Sequence, residues 1–168
     1  KAARRRASCW SRVSSLLRAM VAVGKPSSVA RTRPGASLRS LATKAMSAGA
    51  TLPDKPRQIA ILVTGAHFDA AYEIYAHIAV AEREGMSDAR LSALCANVKP
   101  ADLDEQESVA YDVTFALVNG GILPEPVYAR AVKTFGQDGA AELIYLVGLY
   151  CLVSMTLNGF NVPVPERE

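Results

Sequence analysis

From Lys55 onward the apolar positions recur with a helical spacing nearly everywhere, and no stretch alternates with a sustained period of two. Gln58 to Thr64 (QIAILVT) is a short apolar run that a strand could also hold, but the helical pattern beside it favours helix. Asp69 to Glu84 follows, with Ile74, Ile78 and Ala81 at i, i+4 and i+7, and Gly85 stands where a left-handed residue would stop a helix. Ser87 is a candidate N-cap for a short helix through Leu94, with Pro100 beyond its end. Asp104 and Glu107 have the spacing of a capping box, and Val109, Ala110, Val113 and Leu117 trace the buried stripe of the helix they open. Gly120-Gly121 ends it. Pro126 and Gly136 frame a further helix containing Val127, Ala131 and Val132, and a last helix is expected from Asp138 to about Asn158. The reading is an all-α body.

The last helix is the most hydrophobic part of the chain. Leu143 to Leu157 is fifteen residues without a charge, shorter than the roughly 18–20 that a membrane span needs, with Tyr145, Ser154 and Thr156 as polar interruptions. A core helix, in a protein that is not integral to a membrane, is therefore expected. A helix apolar on most faces must be covered on most faces, and a small body has few helices to do it, so association with another chain is the natural supplement.

Charge divides the 168 residues into two parts. Residues 1–53 hold eleven Lys or Arg and no acid, whereas the rest holds eight basic residues and sixteen acids, a net −8. A basic leader (1–50) thus precedes an acidic body (51–168). The leader is rich in Arg, Ser and Ala, and Ser11 to Val23 can form an amphipathic helix with Val13, Leu16, Leu17, Met20 and Val21 on one side. That is the composition of an organellar transit peptide, mitochondrial with plastid as the alternative, cleaved somewhere between Arg31 and Gly49; the other reading of 1–50 is a disordered leader that carries no address. Arg18 and Lys25 break the apolar run that a secretory signal requires. A nucleic-acid-binding arm is disfavoured, since Trp10 is the leader's one aromatic and the body is acidic. A phosphate-loop reading of Gly24-Lys25-Pro26-Ser27 fails, because Pro26 lacks a backbone donor. An apolar content of 50% sets aside wholesale disorder, and three scattered cysteines set aside a disulfide scaffold.

Candidate chemistry gathers in His67-Phe-Asp-Ala-Ala-Tyr72-Glu73-Ile-Tyr75-Ala-His77. On a helix Glu73 and His77 are i, i+4 neighbours, so the carboxylate can orient the imidazole and raise its basicity, as a proton shuttle requires. No paired-Cys or His-Glu-x-x-His spacing supports a metal or a redox dithiol, and Cys95 and Cys151 read as small buried hydrophobes.

Four stretches in order, Pro56-Arg-Gln-Ile-Ala-Ile-Leu, Ala71-Tyr-Glu-Ile-Tyr-Ala-His77, Ala140-Ala-Glu-Leu-Ile-Tyr-Leu-Val-Gly-Leu-Tyr150 and Thr156-Leu-Asn-Gly-Phe-Asn-Val-Pro-Val-Pro165, resemble the carboxymuconolactone decarboxylase family of the alkylhydroperoxidase D-like superfamily. The resemblance spans residues 55–166. It implies an alkylhydroperoxidase D-like helical bundle that assembles as a trimer or hexamer, and no cofactor. It carries the family's pocket histidine onto His77 and the acid one turn earlier onto Glu73. The peroxidase branch has a CxxC on this helix, and Glu73 takes the place of its second cysteine. The decarboxylase branch has an acid where this chain has Gln58, nineteen residues before His77, and a tryptophan where it has Ile74.

The activity so implied is cofactor-free decarboxylation of a carboxylated lactone or related small acid, a carboxy-lyase reaction. His77 would be the proton donor, Glu73 its orienting partner, and Gln58 and His67 hydrogen-bond donors to substrate oxygens. Tyr72, Tyr75 and Asn158 are lesser substrate-binding candidates. The alternative is a non-catalytic relative serving as an accessory subunit of a larger organellar complex.

Overall fold

A computed structural model describes residues 51–165. The leader, with its transit-peptide and cleavage expectations, lies outside the described residues. Those described form five α-helices and no strand: α1 (Asp54–His67), α2 (Ala71–Arg83), α3 (Asp88–Cys95), α4 (Glu105–Val118) and α5 (Glu125–Gly159).

Helix α1 is the axis of the bundle and packs against all four others. It starts well because Asp54 and Pro56 occupy the first turn, where a carboxylate faces the positive end of the helix and a missing N–H costs nothing. Its apolar residues divide between two cores. Ala60 and Ile61 join Val109, Val113, Leu143, Leu146 and Val147 from α4 and α5, whereas Ile59, Leu62 and Val63 join Ala81, Leu91, Leu94 and Tyr111. QIAILVT is thus a helix buried on nearly every side, which is why its apolar run shows so little periodicity.

Helix α2 returns antiparallel to α1 after a short turn in which Asp69 takes a positive φ of 48°, so the helix begins at Ala71 and not at Asp69. It ends as its glycine requires: Gly85 sits at φ 81°, and the Met86 N–H reaches back to the Ala81 carbonyl at 3.0 Å, closing a Schellman-type turn. The α1–α2 approach is close at Gly65, where a Cβ would lie 3.4 Å from Ile74 Cγ1 and 3.7 Å from Glu73 Cβ. Any side chain larger than alanine there would push Glu73 away from α1.

Ser87 has the extended backbone of an N-cap, yet its hydroxyl makes no capping bond. Asp104 completes the reciprocal box: its Oδ1 accepts from the Glu107 N–H at 2.9 Å, and its own N–H donates to Glu107 Oε2 at 3.0 Å. Arg130 of α5 ties α4 in place through Glu105 (2.8 Å) and Asp112 (2.7 Å).

The two expected C-terminal helices are both present and run together as α5 across a kink. Gly136 alone leaves helical geometry (φ 73°, ψ 173°), and the chain resumes at once. Helix α5 is long and apolar enough, by length and composition, to cross a membrane. One side of it packs into the bundle through Ala140, Leu143, Leu146 and Val147. The expected cover on most faces is incomplete within one chain, because Leu152 is 40% and Met155 61% exposed.

Candidate functional site

Gln58 lies in the second turn of α1 and is buried, and α2 brings His77 opposite it. The imidazole is held at both nitrogens. Nδ1 is 2.8 Å from Gln58 Oε1, and Nε2 is 2.9 Å from Glu73 Oε1. Glu73 is buried beside Gly65, while His77 keeps 19% of its side chain exposed. Tyr150 of α5 meets the ring edge-on, with centroids 5.3 Å apart and planes at 87°. That is a favoured arrangement for two rings, because the positive edge of one faces the negative face of the other.

Two oxygens facing two ring nitrogens are both satisfied by an imidazolium, which donates twice. The neutral ring is satisfied equally well if the Gln58 amide turns over, so that its NH₂ donates to Nδ1 while Nε2–H donates to Glu73. An amide is thus a partner to both protonation states. It holds the ring through the gain and loss of a proton, although it cannot itself take that proton.

The surroundings set the character of the other groups. Burial, and secondarily the charge of Glu73, push the Tyr150 phenol up to about 12, with Arg57 pulling the other way, so it stays an O–H donor at neutral pH. Glu84, seven residues after His77, has its carboxyl pushed up by burial and by Asp54, against the pull of Arg57, His77 and Arg83. Glu84 also lines an open cleft of about 350 Å³ with Pro53, Asp54, Lys55, Pro56, Asp104 and Gln106. Arg57 donates from Nη2 to the Leu52 carbonyl at 2.7 Å. Its Nε and the Glu84 Oε2 are buried without a hydrogen-bond partner.

The four remaining sequence candidates stand apart from this trio. His67 is exposed at the far end of α1, with its ring edge against Phe68. At the rise of an α-helix, the nine positions between Gln58 and His67 separate them by roughly 13 Å along the axis. Tyr75 is two residues before His77, which turns it to the other side of α2. It is 37% exposed and lies against Tyr72, with ring centroids 6.5 Å apart. Asn158 donates from Nδ2 to the Phe68 carbonyl at 2.6 Å, fastening the end of α5 to the α1–α2 turn. None of these contacts carries them to the imidazole.

Conversely, the sequence reading missed Tyr150, Arg57 and Glu84 as site residues. Arg57 and Tyr150 had a signal, since each lies in one of the four stretches that resemble the family. No group of three or more His, Cys, Asp or Glu among the described residues is placed to hold a metal ion. Cys95 and Cys151 are half-buried, with thiols pushed up by burial and so held as the weakly reactive protonated form. Comparison of the chain with protein-family models, with curated proteins and with solved structures finds no match.

Proposed function

We propose that the protein is a carboxymuconolactone decarboxylase-like carboxy-lyase that works without a cofactor on a carboxylated lactone or related small acid. The observation that carries this reading is the His77 ring held between an amide on α1 and a buried carboxylate on α2. The substrate carboxylate leaves as CO2, its bonding electron pair passes to the adjacent carbon and into a neighbouring carbonyl, and an N–H of His77 protonates that carbon. Nδ1 is the nitrogen assigned to the substrate, since its partner is a neutral amide that gives way more readily than the buried anion on Nε2. Glu73 keeps the ring oriented throughout. The neutral Tyr150 hydroxyl is a second donor to the enolate oxygen, and water returns the proton to His77.

The test is CO2 release from a panel of carboxylated lactones by the purified protein, with deuterium uptake at the former carboxyl-bearing carbon in D2O. Gln58→Glu restores an acid at the position where the family has one, and we expect it to raise turnover about tenfold or more by supplying a group that exchanges a proton. No turnover in either protein, with every lactone tried, overturns the reading.

A second reading is favoured by a separate observation. Leu152 and Met155 on α5 are exposed apolar residues, in a run from Leu143 to Leu157 without a charge. A non-catalytic subunit would use that face to associate, as a trimer, a hexamer or part of a larger mitochondrial or plastid complex into which the basic leader directs it. It would then be a face for protein and not for lipid. Met155→Glu combined with Leu152→Glu is expected to convert an assembly into single chains in sedimentation at micromolar concentration. A wild-type chain that already sediments alone there overturns the association.

A further inference from the structure

Three buried glutamates stand among the described residues, and two face basic side chains: Glu73 has His77 and Glu107 has Arg90. The third, Glu142 of α5, is 1% exposed and forms no ion pair with a Lys, Arg or His among the described residues. Its oxygens are turned instead to the start of the body. Oε2 accepts from the Thr51 backbone N–H at 3.0 Å and from the Thr51 hydroxyl, and Oε1 lies 3.5 Å from the Leu52 N–H. Leu52 is buried in the α1–α4–α5 core, whereas Thr51 is exposed.

A fully buried anion is expensive unless a cation meets it. The nitrogen nearest to it becomes that cation if the chain is cut in front of Thr51. The four residues ahead, Ser47-Ala48-Gly49-Ala50, are small and uncharged, and they close the basic leader.

We propose that Glu142 is the receptor for a new amino terminus at Thr51, produced when an endopeptidase hydrolyses the Ala50–Thr51 bond, just beyond the Arg31–Gly49 window expected from the leader's composition. Water adds across the peptide, leaving a carboxylate on Ala50 and an ammonium on Thr51. The amide donor that faced Glu142 is replaced by a positive charge at the same place, and a buried hydrogen bond becomes a buried ion pair. Removal of the leader and tightening of the body are then a single event. This goes beyond the proposed reaction and does not depend on it.

The experiment uses the full chain with Ser47 to Ala50 replaced by the recognition sequence of a site-specific endoprotease that cuts on its C-terminal side. Cutting the folded protein to expose Thr51 is expected to raise Tm by about 5 °C over the uncut chain. Shifting the sequence so that one extra residue remains ahead of Thr51 displaces the ammonium by about 3.8 Å and should yield no gain. In Glu142→Gln the two states, cut and uncut, should melt together. Equal gains from both cuts, or a gain that survives in Glu142→Gln, overturn the proposal; if Glu142→Gln does not fold, the comparison of the two cuts still decides. For the natural chain processed in an organelle, intact mass should place the amino terminus at Thr51, and any other terminus overturns the assignment of the cleavage site.

Discussion

Alanine at position 77 should lower turnover of the responsive lactone by about two to four orders of magnitude, the usual contribution of a positioned general acid. The loss should fall on kcat more than on KM, because the imidazole is assigned to the proton delivered in the transition state and not to ground-state binding. Glu73→Gln should follow with a smaller loss, since a neutral amide still holds Nε2 but no longer favours the imidazolium. The substitution at 77 has a structural cost as well. The Glu73 side chain is only 7% exposed, and its hydrogen-bond partner, the His77 Nε2, would be gone. Leaving that carboxylate buried and unpaired should cost about 2–3 kcal/mol of stability. Kinetics must therefore be measured well below the variant's Tm. Imidazole added to the buffer should restore part of the lost rate through the half-buried gap left by the ring, which a purely structural role would not allow. Equal turnover in the variant and the parent removes His77 from the chemistry.

What the sequence revealed about this fold follows the range of each interaction. The Asp104–Glu107 box was legible because both partners lie within one turn, and Gly85 because a left-handed residue is a local demand. Ser87 shows the limit of that logic: its backbone is cap-like while its hydroxyl goes unused. The division of α5 into two helical segments was also legible, because Gly136 signals a stop and its backbone (φ 73°, ψ 173°) kinks the chain there. In the site, Glu73 and His77 were legible as i, i+4 neighbours. Gln58 entered only through the family resemblance, since nothing local joins positions 58 and 77. Tyr150 sits in an uncharged run far along the chain from His77, where an aromatic reads as core. His67, Tyr72 and Tyr75 were gathered by nearness in sequence, and the rotation of α2 and the length of α1 separate them again. Geometry that depends on two helices meeting is what a one-dimensional pattern withholds.

The Arg90 to Glu107 contact gives the largest expected change in stability. Arg90 on α3 places Nη1 at 3.1 and 3.2 Å from the two oxygens of Glu107, whose side chain is 3% exposed, and its Nε bonds Asp102 at 2.9 Å. Glu107 therefore does two things: it closes the capping box of α4 and anchors α3 to that helix. Arg90→Leu removes the cation and leaves the buried anion with the Asp104 N–H as its remaining donor. The expected cost is about 3 kcal/mol by urea denaturation, and the partial exposure of Arg90 keeps this at the low end for a buried pair. Adding Glu107→Gln should then recover stability to within about 1 kcal/mol of the parent, because glutamine still accepts from the Asp104 N–H as a capping-box residue and no buried charge remains to be solvated. A single Arg90→Leu that costs less than about 1 kcal/mol would show that water already reaches the Glu107 carboxylate, and would contradict the burial of that side chain on which this value depends.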